Sequence, residues 1–175
     1  MFCKHTIPSL AIATLALCAP LQAQDTAFTT DVVHFGVVVS DIDASIKFYT
    51  DVIGFTPSGD FSVSGDIASS AGLTQEGIGL NVQVLTLGGG KSATKLKLMQ
   101  IADVKSKKLK NTYIHSTLGM SYMTIMVADT KAAIARAAKH GVKPLKQGPI
   151  DLDAGKLFLT LLRDPDGNFV ELVGP

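Results

Sequence analysis

The chain has 175 residues, 46 % of them hydrophobic, which is enough for one well-cored domain and short for two. Lys and Arg number 16 against 15 Asp and Glu. So even a balance argues against nucleic acid or an anionic membrane surface as a partner.

Residues 1–23 have a character of their own. Lys4 and His5 give a basic start, residues 7–21 are nearly free of polar groups, and Ala23 offers a small residue for cleavage before Gln24. This is the pattern of a secretory signal peptide. The apolar run is shorter than the ~18 residues of a spanning helix, and Pro8 and Pro20 interrupt it. The expectation is export, periplasmic or secreted, with residues 24–175 as a single mature domain and no membrane partner after cleavage. Lipoprotein processing at Cys18 is the alternative, although Leu17 stands where a small residue is wanted. Cys3 and Cys18 both lie in this segment, so the mature chain would have no disulfide and no thiolate metal ligand.

Residues 32–40 are rich in β-branched side chains and predict a strand. Asp41 is placed to cap a helix over residues 42–53, with Ile42, Ile46, Tyr49 and Ile53 on one face and Gly54 ending it. Residues 58–74, dominated by Gly and Ser, predict a weak strand followed by a loop or short helix. Residues 79–87 and 94–100 predict two further strands joined by a Gly88-Gly89-Gly90 turn. The basic run from Lys105 to Lys110 opens a linker over residues 105–118; it is either solvated or a contact for an anionic ligand.

From Tyr122 onward the pattern repeats. An apolar strand runs into Asp129, which can cap a helix over residues 130–140 that Gly141 ends. A shift of 88 positions lays His34 on Tyr122, Asp41 on Asp129 and Ile46 on Ile134, an internal repeat. Residues 156–162 predict a strand. Asp164-Pro165-Asp166-Gly167-Asn168 follows as a tight turn, and residues 169–173 predict a last strand with Glu171 in its middle. An acid at that position is costly to bury without a partner. The chain has no G-x-S-x-G elbow, no H-E-x-x-H and no phosphate-binding loop.

The run H-F-G-V-V-V-S-D-I-D-A-S-I-K-F-Y-T-D-V-I-G-F, from His34 to Phe55, together with R-D-P-D-G-N-F-V-E-L, from Arg163 to Leu172, resembles the vicinal oxygen chelate superfamily. Glyoxalase I, bleomycin and fosfomycin resistance proteins, methylmalonyl-CoA epimerase and extradiol dioxygenases belong to that group. The resemblance implies an α+β fold: two tandem βαβββ modules, about residues 31–104 and 119–175, forming a curved, incomplete barrel around a central cleft. It also implies a divalent metal in that cleft, held from the first and last strands of each module.

Carried over position by position, the first-strand ligands fall on His34 and Tyr122, and the last-strand ligands on Lys97 and Glu171. His34 and Glu171 suit a divalent transition metal if one is bound. Tyr122 is an unusual ligand, and the Lys97 ammonium has only donors. Gln100 carries an oxygen, but strand alternation turns it to the face opposite Lys97. An arrangement without metal is open as well: His34, Lys97, Tyr122 and Glu171 could close into a polar cluster in which Lys97 neutralises Glu171. That cluster would be either a relic that holds the barrel or a proton-transfer site, with Glu171, Tyr122 and Lys97 as its catalytic candidates.

The cofactor expectation is therefore none or a divalent metal. Three functions remain open. One is an exported glyoxalase-like or dioxygenase-like protein, a lyase, isomerase or dioxygenase if it is an enzyme, with a degenerate metal site. The second is a metal-free, resistance-type protein that binds a small molecule without catalysis. The third is a structural or oligomeric protein with no cleft ligand. Export away from the cytosolic glutathione pool makes glutathione-dependent chemistry the least attractive version. Members of the superfamily often pair through their modules, which makes a homodimer a candidate assembly.

Overall fold

A computed structural model of the protein describes residues 30, 32–102 and 104–175. The segment expected to be a signal peptide, Cys18 included, lies outside the described residues. Val32–Pro175 forms one compact unit, and no described helix is long and apolar enough to cross a membrane.

The first half runs β1 (His34–Val38), α1 (Ile42–Lys47), a π-helical segment (Phe48–Ile53), β2 (Thr56–Val63), α2 (Gly65–Ser70), β3 (Leu80–Leu87) and β4 (Thr94–Met99). The second runs β5 (Tyr122–Met126), α3 (Thr130–Lys139), β6 (Ile150–Asp151), β7 (Phe158–Arg163) and β8 (Phe169–Gly174). The strands form two four-stranded sheets ordered β1-β4-β3-β2 and β5-β8-β7-β6. In each sheet the first strand pairs parallel with the last and the other pairs are antiparallel. The expected pair of βαβββ modules is therefore present, with the sheets open rather than closed into a barrel.

The helix starts follow the sequence closely. The Asp41 carboxylate accepts from the Ala44 amide and that of Asp129 from the Ala132 amide, each at 2.9 Å. The first helix departs from expectation in its second half, where it widens into the π-helical segment. That wider turn lets Phe48, Tyr49, Val52 and Ile53 all become buried, more than one α-helical stripe would bury. It ends at Gly54, whose φ of 103° belongs to the left-handed region. Residues 56–63 form a full eight-residue strand rather than a weak one. Pairing with β3 along its length, around an irregularity between Pro57 and Gly59, overrides poor local propensity. Its counterpart β6 has only two residues.

Both modules share one core. Alternation turns Phe35 and Val37 of β1, Leu96 and Leu98 of β4, Ile125 of β5, and Val170 and Leu172 of β8 toward the helices, where they pack with Phe48, Tyr49, Val52, Ala133 and Ala137. Each fully buried Leu contributes about 1.5–3 kcal/mol. Arg136 of α3 ties the helices together, donating through Nε to the Val52 carbonyl at 2.7 Å and through Nη2 to the Ile53 carbonyl at 2.8 Å. A second, smaller cluster lies on the other face of the first sheet, where Ala68 of α2 packs with Leu80 and Val82.

Candidate functional site

With one face of each sheet committed to the core, the alternate residues form two open faces. His34 and Gly36 of β1 and Lys95 and Lys97 of β4 stand on the first. Tyr122 and Thr124 of β5 and Glu171 of β8 stand on the second. The ladders give these residues matching stations: His34 lies opposite Lys95 and Gly36 opposite Lys97, while Tyr122 lies opposite Phe169 and Thr124 opposite Glu171. Lys97 and Glu171 are thus repeat-equivalent, as are His34 and Tyr122.

The closed cluster of these four side chains does not form. Glu171 is half-buried and accepts from the Thr124 hydroxyl at 2.8 Å, its neighbour directly across the parallel ladder. The Lys97 ammonium lies 5.6 Å from the centre of the Phe61 ring, within its own sheet. No ion pair joins Lys97 to Glu171 among the described residues. The physical reason is local supply. Thr124 brings a hydroxyl to the acid from the adjacent strand, whereas Gly36, at the matching station, brings nothing to the lysine. Gln100 is turned away from the site, as alternation requires, and its Oε1 accepts from the Ile42 amide at 2.9 Å to help cap α1.

The family resemblance raises a divalent metal, and the residues present do not gather around one. Among the described residues no group of three or more His, Cys, Asp and Glu side chains is placed to hold a metal ion. Of the four expected stations only His34 and Glu171 carry groups suited to such an ion, and the station equivalent to Glu171 carries an ammonium.

Two hollows border His34. One, of about 450 Å³, lies between β1 and β5; His34, Gly36, Tyr49, Met120, Tyr122, Asn168 and Phe169 are among its walls. The other, of about 380 Å³, lies on the open face of the first sheet, walled by His34, Ser58, Asp60, Phe61, Val84, Thr86, Lys95 and Lys97. Sequence reasoning found His34, Lys97 and Tyr122 but missed Phe61, Thr86 and Thr124. Thr86 had a usable signal, since it alternates with Val84 along a predicted strand. Phe61 was hidden in the Gly- and Ser-rich stretch.

The turn between β7 and β8 ties the two modules together beside this site. Asp164 is buried and accepts from the Asp166 amide at 3.0 Å, and from the Asn168 amide and side chain at 2.8 Å each. Tyr49 of the first module donates its hydroxyl to the same carboxylate at 3.0 Å. Burial, and then the Asp164 charge, push the Tyr49 hydroxyl well above the ordinary tyrosine range. Asp166 reaches the other way and accepts from the Ser40 amide at 3.0 Å and from its hydroxyl. Arg163 stacks over Phe169, 4.0 Å from the ring centre, and donates to the carbonyls of Asn111, Thr112 and Gly167, tying the linker to β7.

Two modules with parallel outer ladders, open outer faces and a hollow between their first strands define a tandem βαβββ protein. A family model described as the Glyoxalase/Bleomycin resistance protein/Dioxygenase superfamily matches residues 31–172. The chain belongs to that superfamily. Among solved structures it is similar to a glyoxalase family protein from Bacillus cereus, with a TM-score of 0.67 and 18 % identity, covering 86 % of this chain and 96 % of that one. It is also similar to the trypanothione-dependent glyoxalase I of Leishmania major, with a TM-score of 0.56 and 26 % identity, covering 81 % and 84 % of the two chains. Against glyoxalase I from Zea mays the TM-score is 0.59 at 19 % identity, over 81 % of this chain and 43 % of the plant chain. No curated protein matches the sequence.

Proposed function

We propose that this is an exported glyoxalase-like protein whose cleft takes a small molecule and whose metal centre has degenerated. The observation that carries the reading is the hollow of about 450 Å³ between β1 and β5, with His34 and Tyr122 at equivalent stations on its two sides. Its size and its mixture of apolar and aromatic walls with a few polar groups are those of a small-molecule pocket. Degeneration of the metal centre is supported by Lys97 standing at the station equivalent to Glu171, where an ammonium can only donate. Ligand binding without catalysis is favoured over the lyase, isomerase or dioxygenase version, because Glu171 and Lys97 each find a partner within their own sheet. Were the protein catalytic, Glu171, Tyr122 and Lys97 would be its candidates, and a change of side-chain arrangement would have to bring Lys97 to Glu171.

Two measurements test this. A fragment library titrated into the isotope-labelled protein should move the amide resonances of His34, Met120 and Tyr122 together; a library that leaves all three unmoved removes the cleft reading. Elemental analysis of protein purified without chelating resin should find substoichiometric divalent metal. A tightly held equivalent would restore the metalloenzyme, with His34 and Glu171 as its first two ligands. Pairing of two copies belongs to the same proposal and is supported by exposed apolar side chains around the first strands of the modules, among them Val33, Leu118, Met120 and Met126.

A further inference from the structure

We propose that the second hollow, on the open face of the first sheet, is an anion site that receives a small organic anion with an apolar body. This hollow is separate from the one between β1 and β5, and the two readings are tested independently.

Three nitrogen-bearing side chains converge there. Lys95 and Lys97 are two residues apart on β4 and so share a face. His34 lies opposite Lys95 in the parallel ladder, and all three wall the same hollow. Their hydrogen-bonding capacity is free toward the protein. Among the described residues, Lys95 and His34 have no hydrogen-bond partner, and Lys97 has only the face of Phe61. The hydroxyls of the same wall are already engaged: Thr86 donates to Ser58 at 2.7 Å, and Ser58 donates to the Val84 carbonyl at 3.2 Å. The free donors are therefore the two ammonium groups and the imidazole.

Asp60 is the one acid of the hollow. It pairs across the ladder with Gln83, one step out of phase with Phe61 and Gly59, so alternation turns it away from the lysine face. Lys97 is half-buried and has no counter-ion among the described residues. The residue opposite it, Gly36, brings no side chain to the ammonium, and the Met99 methyl lies over that glycine. A carboxylate or phosphate oxygen would complete Lys97 and Lys95 by charge-assisted hydrogen bonds, with His34 as a third donor. Phe61 and Val84 supply an apolar wall for the rest of the molecule. At about 380 Å³, the space suits a small molecule of roughly one ring.

The test is titration of the full chain with benzoate, phenyl phosphate and the neutral benzyl alcohol, followed by calorimetry and by the amide resonances of Lys95, Lys97 and Phe61. Benzoate or phenyl phosphate is expected to bind and benzyl alcohol not, with affinity falling as salt is raised. The tighter of the two anions identifies the head group as carboxylate or phosphate. Lys97→Met, which keeps a straight stem over Phe61, should weaken the anion by about tenfold or more. Lys95→Met, at an exposed position, should weaken it by a smaller factor, and Lys97→Arg should retain it.

The inference is overturned if the alcohol binds as well as the anions. It is equally overturned if both Met variants keep the anion affinity, or if neither anion binds at millimolar concentration. Ligands that move Met120 and Tyr122 while sparing the lysines would leave the cleft reading standing and this one refuted. Anions that move the lysines in a protein whose Met120 and Tyr122 never respond would do the reverse.

Discussion

Tyr49 carries its hydroxyl into the core and donates it to Asp164, so its role is to join the modules. Tyr49→Phe leaves the ring packing intact and removes one donor from a buried carboxylate that keeps three others. The expected loss is about 1–3 kcal/mol, read from urea unfolding at neutral pH. The folded hydroxyl titrates above its unfolded value of 10.0. The stability it contributes is therefore present in full below pH ~10 and is lost as pH climbs above that. Wild-type protein should lose stability steeply in that alkaline range, and Tyr49→Phe should flatten the loss.

Lys97 and Glu171 call for the opposite expectation from a buried ion pair. Breaking such a pair costs about 3–5 kcal/mol, but here neither charge depends on the other. Lys97→Ala should cost only about 0.5–1 kcal/mol, the value of a cation over an aromatic face. Thr124→Val, which takes the hydroxyl from Glu171, should cost about 1–2 kcal/mol. Thermal unfolding of the two variants checks the order. The repeat laid His34 on Tyr122 and Glu171 stood out as an acid in mid-strand, but the set of four with Lys97 came from the resemblance to the superfamily. Their contacts were legible in neither, because each depends on which residue lies across the ladder.

Among the elements, β8 illustrates how tightly the two ends of a module are fitted. The Val127 amide donates to the Val173 carbonyl at 2.8 Å, drawing the exit of β5 against the end of β8. A Cβ added at Gly174 would come within 2.0 Å of the Val127 carbonyl oxygen. Backbone on both sides must give way, so Gly174→Ala should lower stability by about 2–3 kcal/mol, measured by denaturant unfolding. Helix starts were legible because an Asp cap acts within three residues. The π-helical segment and the length of β2 were not. The first follows from burying four large side chains at once, and the second from a partner strand some twenty residues away.

For the molecule as a whole, the proposed export predicts a mature N-terminus near Gln24. Intact-mass measurement on protein from the native host checks this: a mass retaining Met1 would refute cleavage, and a lipid adduct would point to Cys18. The proposed pairing predicts a dimer by sedimentation, displaced toward monomer by Leu118→Asp with Met126→Asp, since a buried unpaired carboxylate is costly. A monomer across the accessible concentration range would refute it.

Local order along the chain was enough to predict two βαβββ modules, because caps, turns, alternation and a repeat all act over a few residues or copy themselves at a fixed offset. The four stations at which a site could be built came from the resemblance to the superfamily, laid over that pattern. Which side chains meet at those stations was determined by the fold. Thr124 reaches Glu171 across a parallel ladder, Gly36 brings no side chain to Lys97, and Phe61 arrives from a strand whose composition barely suggests one. Those contacts join residues distant in sequence and arise only once the sheets have paired, so no local pattern encodes them.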